Sequence, residues 1–108
     1  MMDVQLNSWL LFEHGPRHFA STEVVTRTRD GRAHRYTYGD FGRRAQQLMH
    51  ALDRLGVPEG ERVATLAWNS YRHLECYFSI PCTGRILHTL NLRQIGRASC
   101  RERVLCVV

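Results

Sequence analysis

Apolar and polar positions along this chain follow two rhythms, one near 3.6 residues and one near two, and the switches between them mark its elements. Leu6, Trp9, Leu10 and Leu11 fall at helical offsets over Leu6 to His14, and Gly15-Pro16 reads as the stop. Thr22 to Arg27 is β-branched and predicts a strand, Asp30-Gly31 a hairpin turn, and Ala33 to Thr37 the return strand. Thr37-Tyr38-Gly39-Asp40 has the form of a capping box, with a hydroxyl at the cap and a carboxylate three residues on. A helical stripe of Phe41, Ala45, Leu48, Leu52 and Leu55, widened by Met49, follows, and Arg43, Arg44, Gln46, Gln47 and Asp53 line its other face. Gly56 supplies a left-handed stop.

The next stretch loses its alternation. Arg62 to Ala67 is a short apolar run, as expected of a strand covered on both faces. Asn69 or Ser70 can cap a helix in which Tyr71, Leu74, Tyr77 and Phe78 recur, with Pro81 and Gly84 at its end. Ile86 to Leu90 is again an apolar strand. Strand, helix and strand within about thirty residues make a βαβ unit with parallel strands. The predicted fold class is therefore α/β: an N-terminal β-hairpin plus helices leading into a βαβ unit of an incomplete parallel sheet. Parallel strands need partners on both edges and cover on both faces, and this sequence supplies few. The chain by itself is expected to fold poorly.

Composition adds bounds. The chain has 108 residues, 44% of them apolar, and a net charge of +5. That is one small domain, neither disordered nor collagen-like, and no apolar run is long enough for a membrane span. Every basic residue is arginine and there is no lysine, a usage that reads as codon bias. The start, Met1-Met2-Asp3-Val4-Gln5-Leu6, lacks the basic and apolar regions of a secretory signal. Cys76 and Cys82 are too far apart for the usual zinc spacing and read as reduced thiols of a cytoplasmic protein.

The character changes after Arg93. Ile95 to Val104 back-translates through ten consecutive codons into the reverse complement of a widely used short-read sequencing adapter. Residues 1–93 are thus read as family-derived and residues 94–108 as a non-native tail, left out of fold reasoning. Leu105 to Val108 do not follow from the adapter. Without three arginines (Arg97, Arg101, Arg103) and one acid (Glu102), the charge falls from +5 to +3, and Cys100 and Cys106 drop from the cysteine count.

Three stretches carry a family likeness: Tyr36 to Asp40, Leu55 to Ala64, and Trp68-Asn69-Ser70. They resemble the opening of adenylate-forming (AMP-binding) acyl-CoA synthetases. Ile80 to Arg93, with His88-Thr89-Leu90-Asn91, is similar to the medium- and long-chain fatty acid–CoA ligase branch. The resemblance implies the N-terminal part of an ATP-dependent ligase that turns a fatty acid into an acyl-adenylate and then an acyl-CoA. The complete enzyme would use ATP, Mg²⁺ and coenzyme A. Such chemistry needs a Gly/Ser/Thr-rich phosphate loop with a lysine. Neither is present, so no catalytic, cofactor-binding or metal-binding role is assigned to any residue, and the chain alone is expected to be inactive. Arg85 stands where relatives of this kind carry a small apolar residue; it should snorkel to the sheet end or be a sequence error.

A few polar residues could still bear chemistry. His88 and Asn91, and likewise Trp68 and Asn69, fall at carboxyl ends of the parallel strands, where open α/β sheets bind ligands. A structural role is the simpler expectation for all four, with His88 and Asn91 as a hydrogen-bonded pair. His14, His18, His34, His50 and His73 lack ligand spacing and read as surface positions. Thr37, Ser70 and Ser99 lack the glycines of a nucleophile elbow. Arg27, Arg29, Arg32 and Arg35 cluster at the hairpin, which leaves a small basic nucleic-acid-binding or interaction module as the alternative class. Asp30 interrupts that cluster, so no nucleic-acid partner is expected. Oligomeric state and acyl chain length stay open.

Overall fold

A computed structural model describes residues 3–91. The tail assigned to 94–108, with Ser99, Cys100 and Cys106, lies outside the described residues, as do Met1, Met2 and Arg93. The elements in chain order are α1 (Ser8–His18), β1 (Glu23–Arg27), β2 (Ala33–Thr37), α2 (Tyr38–Arg54), β3 (Arg62–Thr65), α3 (Tyr71–Cys82) and β4 (Ile86–Thr89). The α/β expectation holds: β1 and β2 pair antiparallel, and β3 and β4 pair parallel with α3 between them.

The hairpin register sets Val24 opposite Tyr36 and Arg27 opposite Ala33. Gly31 turns it at φ 81°, a conformation a side chain would resist. The capping box forms as its sequence predicts. Asp40 N–H donates to Thr37 Oγ1 at 3.2 Å, and Thr37 N–H donates to Asp40 Oδ2 at 3.3 Å.

α1 departs from expectation. It begins at Ser8, where Asn7 Oδ1 accepts from Leu10 N–H at 3.1 Å, and it runs through Gly15-Pro16 to His18. Proline costs a helix one hydrogen bond and crowds the preceding turn. Here its ring is packed against α2 at Gly42, where any side chain would collide with it. Trp9, Leu10 and Leu11, placed on the buried stripe by their spacing, are exposed; the buried anchor is Phe12. Phe12 meets Phe41 edge-on at 5.6 Å, and Phe41 meets Phe78 edge-on at 5.6 Å.

Two apolar clusters form the core. Phe12, Tyr36, Phe41, Ala45 and Met49 join the hairpin to α1 and α2. Leu52, Val63, Cys76 and Ile80 join α2 and α3 to the parallel sheet, with Leu48 and Leu87 packed beside them. Leu55, the last member of the α2 stripe, lies beyond the helix end and is exposed.

α3 corrects the sequence reading most. Its buried positions are His73, Glu75, Cys76, Ser79 and Ile80, while Tyr77 is exposed and Tyr71, Leu74 and Phe78 are half-buried. The helix is pressed from two sides, by α2 and by the sheet, so its deepest line falls between the two faces. Val63, Ala64 and Thr65 are all buried, as a strand covered on both faces requires. α3 also includes Pro81, which the sequence had marked as a stop, and ends at Cys82 before Gly84 turns at φ 71°.

Candidate functional site

The loop after β3, residues 66–70, delivers Trp68 and Asn69 to the carboxyl end of the parallel sheet and leads into α3. Beside it stands the outer end of the hairpin. Between them opens a cleft of about 820 Å³ lined by Arg27, Thr28, Arg29, Trp68, Ser70 and Tyr71, with Asn69 and Arg72 at its wall. A second hollow of about 470 Å³ shares Arg27, Asn69 and Ser70 with it and reaches His73 and Tyr77. Trp68 is 70% exposed at the rim. Its neighbour Tyr71 stacks on His34, ring centroids 3.9 Å apart, and has the Arg44 and Arg72 guanidinium groups over its ring.

The hairpin arginines divide into two sets. Arg35 pairs with Glu23 at 2.9 Å and Arg32 with Asp30 at 3.6 Å, both at the surface. Among the described residues Arg27, Arg29 and Arg72 form no ion pair, and all three line the cleft. Ser70 occupies the cap position of α3 in an extended conformation but makes no side-chain cap bond. The first amides of a helix have no intrahelical acceptor, so those of Tyr71 to His73 face the cleft end uncapped by Ser70.

Beneath the cleft lies a buried polar layer that sequence reasoning missed. His73, expected at the surface, is 6% exposed; its Nε2 lies 3.2 Å from Thr65 Oγ1, and its Nδ1 is buried without a partner. Burial pushes its pKa down. Glu75 is buried too and receives Arg44 Nε at 2.7 Å, with Arg44 Nη2 at 3.4 Å from the second oxygen. The Ser79 hydroxyl sits 2.7 Å from the Glu75 carbonyl and 2.9 Å from that of Ala45, tying α3 to α2. The Tyr36 hydroxyl is buried without a partner, and its pKa is pushed up to about 12, first by burial and then by the Glu75 charge. A second helical series on α3, His73, Cys76 and Ile80 at i, i+3 and i+7, was the signal that could have revealed this layer.

The remaining sequence candidates are scattered. His88 is half-buried on β4, beside Ala64 in the parallel register, and Asn91 is exposed past the strand end. His14, His18 and His50 are exposed, as expected, and His34 is half-buried. Thr37 is committed to the capping box. Cys76 and Cys82 are free thiols, and burial raises the pKa of both, with the Glu75 charge adding to the effect at Cys76. Raised thiols are poor nucleophiles. Arg85 neither snorkels outward nor stands unpaired. It is 7% exposed, donating from Nε and Nη2 to the Val57 carbonyl at 3.0 and 2.6 Å and from Nη2 to Asp53 Oδ1 at 2.7 Å.

Among the described residues no group of three or more His, Cys, Asp or Glu could hold a metal ion. With no lysine in the chain either, the described residues do not fit a Mg²⁺–nucleotide site, and no step is routed through one. No helix among them is long and apolar enough to cross a membrane.

Comparison with known proteins places this arrangement. A family model described as AMP-binding enzyme matches residues 12–99. The chain is 48% identical over 93 residues to a long-chain-fatty-acid–CoA ligase of Thermus thermophilus, covering 86% of this chain and 17% of the relative. It is 38% identical over 93 residues, with the same coverage, to a medium-chain-fatty-acid–CoA ligase of Ectopseudomonas oleovorans. Among solved structures, an anthranilate CoA ligase in complex with anthranoyl-AMP superposes with a TM-score of 0.72 at 25% identity, over 84% of this chain and 17% of that one. The chain therefore spans about a sixth of the length of the relatives it matches.

Proposed function

The chain belongs to the AMP-binding enzyme family, and from that premise we propose that it is the N-terminal part of an ATP-dependent fatty acid–CoA ligase. The observation that carries the reading is the 48% identity, sustained over 93 residues, to a long-chain-fatty-acid–CoA ligase. The Gly84 to Arg93 stretch supports the fatty-acyl branch in particular. In the reaction proposed for the complete enzyme, a carboxylate oxygen attacks the α-phosphorus of ATP and pyrophosphate leaves. The thiol of coenzyme A then attacks the acyl carbonyl, and AMP leaves. Mg²⁺ would offset the phosphate charge there.

The residues described contribute framework to that chemistry. β3 and β4 begin a parallel sheet, α3 covers one face of it, and α2 backs α3. No described side chain combines a nucleophile, a base and an oxyanion donor, so the chain alone is proposed to be inactive. We also propose that the family-derived part ends at Arg93, that residues 94–108 are a non-native tail, and that the enzyme is cytoplasmic, which suits the free thiols Cys76 and Cys82. The family match reaches residue 99, so the boundary is decided by resequencing the locus beyond Arg93.

Two assays test the reading. The purified chain, given ATP, Mg²⁺, coenzyme A and a fatty acid, should form no acyl-CoA; formation would refute the inactivity. The resequenced, longer product should contain a Gly/Ser/Thr-rich loop with a lysine and should form acyl-CoA from a medium- or long-chain acid. A continuation without such a loop would remove the ligase reading.

A further inference from the structure

We propose that the cleft at the start of α3 binds a phosphate monoester carried on a flat ring, with the phosphate on the amides of Tyr71 to His73 and the ring against Trp68. Four observations converge there. The amide end of a twelve-residue helix faces the cleft without a side-chain cap from Ser70, and such an end carries partial positive charge and free donors. Arg27, Arg29 and Arg72 line the same space and, among the described residues, have no carboxylate partner. The nearest hairpin acid, Asp30, is already engaged by Thr28 and Arg32.

The third observation is independent of the helix. His73 lies on the wall of the adjoining hollow, 6% exposed, with its Nδ1 buried and unpartnered. Buried polar atoms are nearly always satisfied, so an orphan at a cleft wall points to a missing acceptor. If the Thr65 hydroxyl donates to Nε2, the neutral ring carries its proton on Nδ1 and can donate to an oxyanion. Trp68 is the fourth. A large indole left 70% exposed beside three arginines is a stacking surface next to an anion site.

The proposal does not rest on the ligase reading, and its failure would leave that reading intact. The test titrates the isotope-labelled 108-residue chain with phenyl phosphate, inorganic phosphate and phenol, following backbone amide signals. Both phosphates should shift the amides of residues 71–73, phenyl phosphate binding about tenfold tighter through its ring. Trp68→Leu should abolish that gain and keep phosphate binding. Arg27→Ala combined with Arg72→Ala should weaken both ligands about tenfold, as expected for charge-assisted contacts. These side chains are exposed, so the variants should fold as the parent does. Absence of amide shifts with either phosphate overturns the proposal. So does equal weakening by a distant control pair, Arg17→Ala with Arg54→Ala, which would mean diffuse ion attraction. Tighter, steeply salt-dependent binding of a single-stranded oligonucleotide would also overturn it, in favour of a nucleic-acid surface.

Discussion

Arg85 shows how one side chain can settle a junction. It reaches back from the start of β4 to the end of α2, where the Val57 carbonyl and Asp53 take its guanidinium. Asp53 is 60% exposed at its side chain, so the ion pair itself is screened and contributes little. The larger effect is the carbonyl that would be left buried. Arg85→Ala should cost about 1–3 kcal/mol in urea unfolding, and Arg85→Met, which keeps the apolar stem, should recover only part of that. A loss below a few tenths would show the junction holds without it. His73 sets a pH dependence of definite sign. Its folded-state pKa is depressed, so unfolding takes up a proton as pH falls below the ordinary histidine value of about 6.5. Its contribution is present above that pH and is lost as pH falls toward the folded value. Stability should therefore rise between pH 5 and 7, and His73→Gln should flatten the rise. An unchanged slope would place the titrating group elsewhere.

At the scale of elements, the packing of α1 on α2 turns on one glycine. A Cβ at Gly42 would stand 2.8 Å from Cγ and 3.0 Å from Cβ of Pro16, atoms of a ring that cannot rotate away. Gly42→Ala gains helix propensity of about 1 kcal/mol, yet overpacking of this kind costs about 1–3 kcal/mol. Net destabilisation is expected, seen as a lower urea midpoint, and a higher midpoint would show that α1 shifts freely. The same contact explains why Pro16 failed as a stop signal. Read along the chain, Gly-Pro ends a helix; packed against a glycine on a neighbouring helix, the ring becomes part of the interface. The hairpin, the capping box and α2 were legible because their determinants are local. The inner face of α3 was not, because two partners distant in sequence decide which of its sides is deepest.

For the molecule as a whole, the two apolar clusters are joined mainly through α2 and α3, and the parallel sheet has only two strands among the described residues. Ile86 on β4 is half exposed, and Trp68 past β3 more so. Strands of this kind are stabilised by flanking strands and covering helices. The chain alone should bind a hydrophobic dye in its native state and unfold in urea with a shallow slope for its length. A steep monomeric transition without dye binding would show a self-sufficient fold. The candidate site has the same dependence on scale. Trp68 and Asn69 were marked by their place at a strand end, but their meeting with Arg27 and Arg29, some forty residues earlier, exists only because the hairpin and the α3 start are folded side by side.

What the sequence alone determined is the order and type of the elements, the two turns of chain direction, the parallel pairing and the family likeness. Each of these follows from residues close in the chain, where periodicity, capping and turn chemistry act. Only the tertiary structure decided that His73 and Glu75 are buried, that Arg85 is satisfied, that α1 continues through Pro16 and that three arginines share a cleft with Trp68. Burial and hydrogen-bond partnership depend on which surfaces meet in space, and no local pattern carries that information.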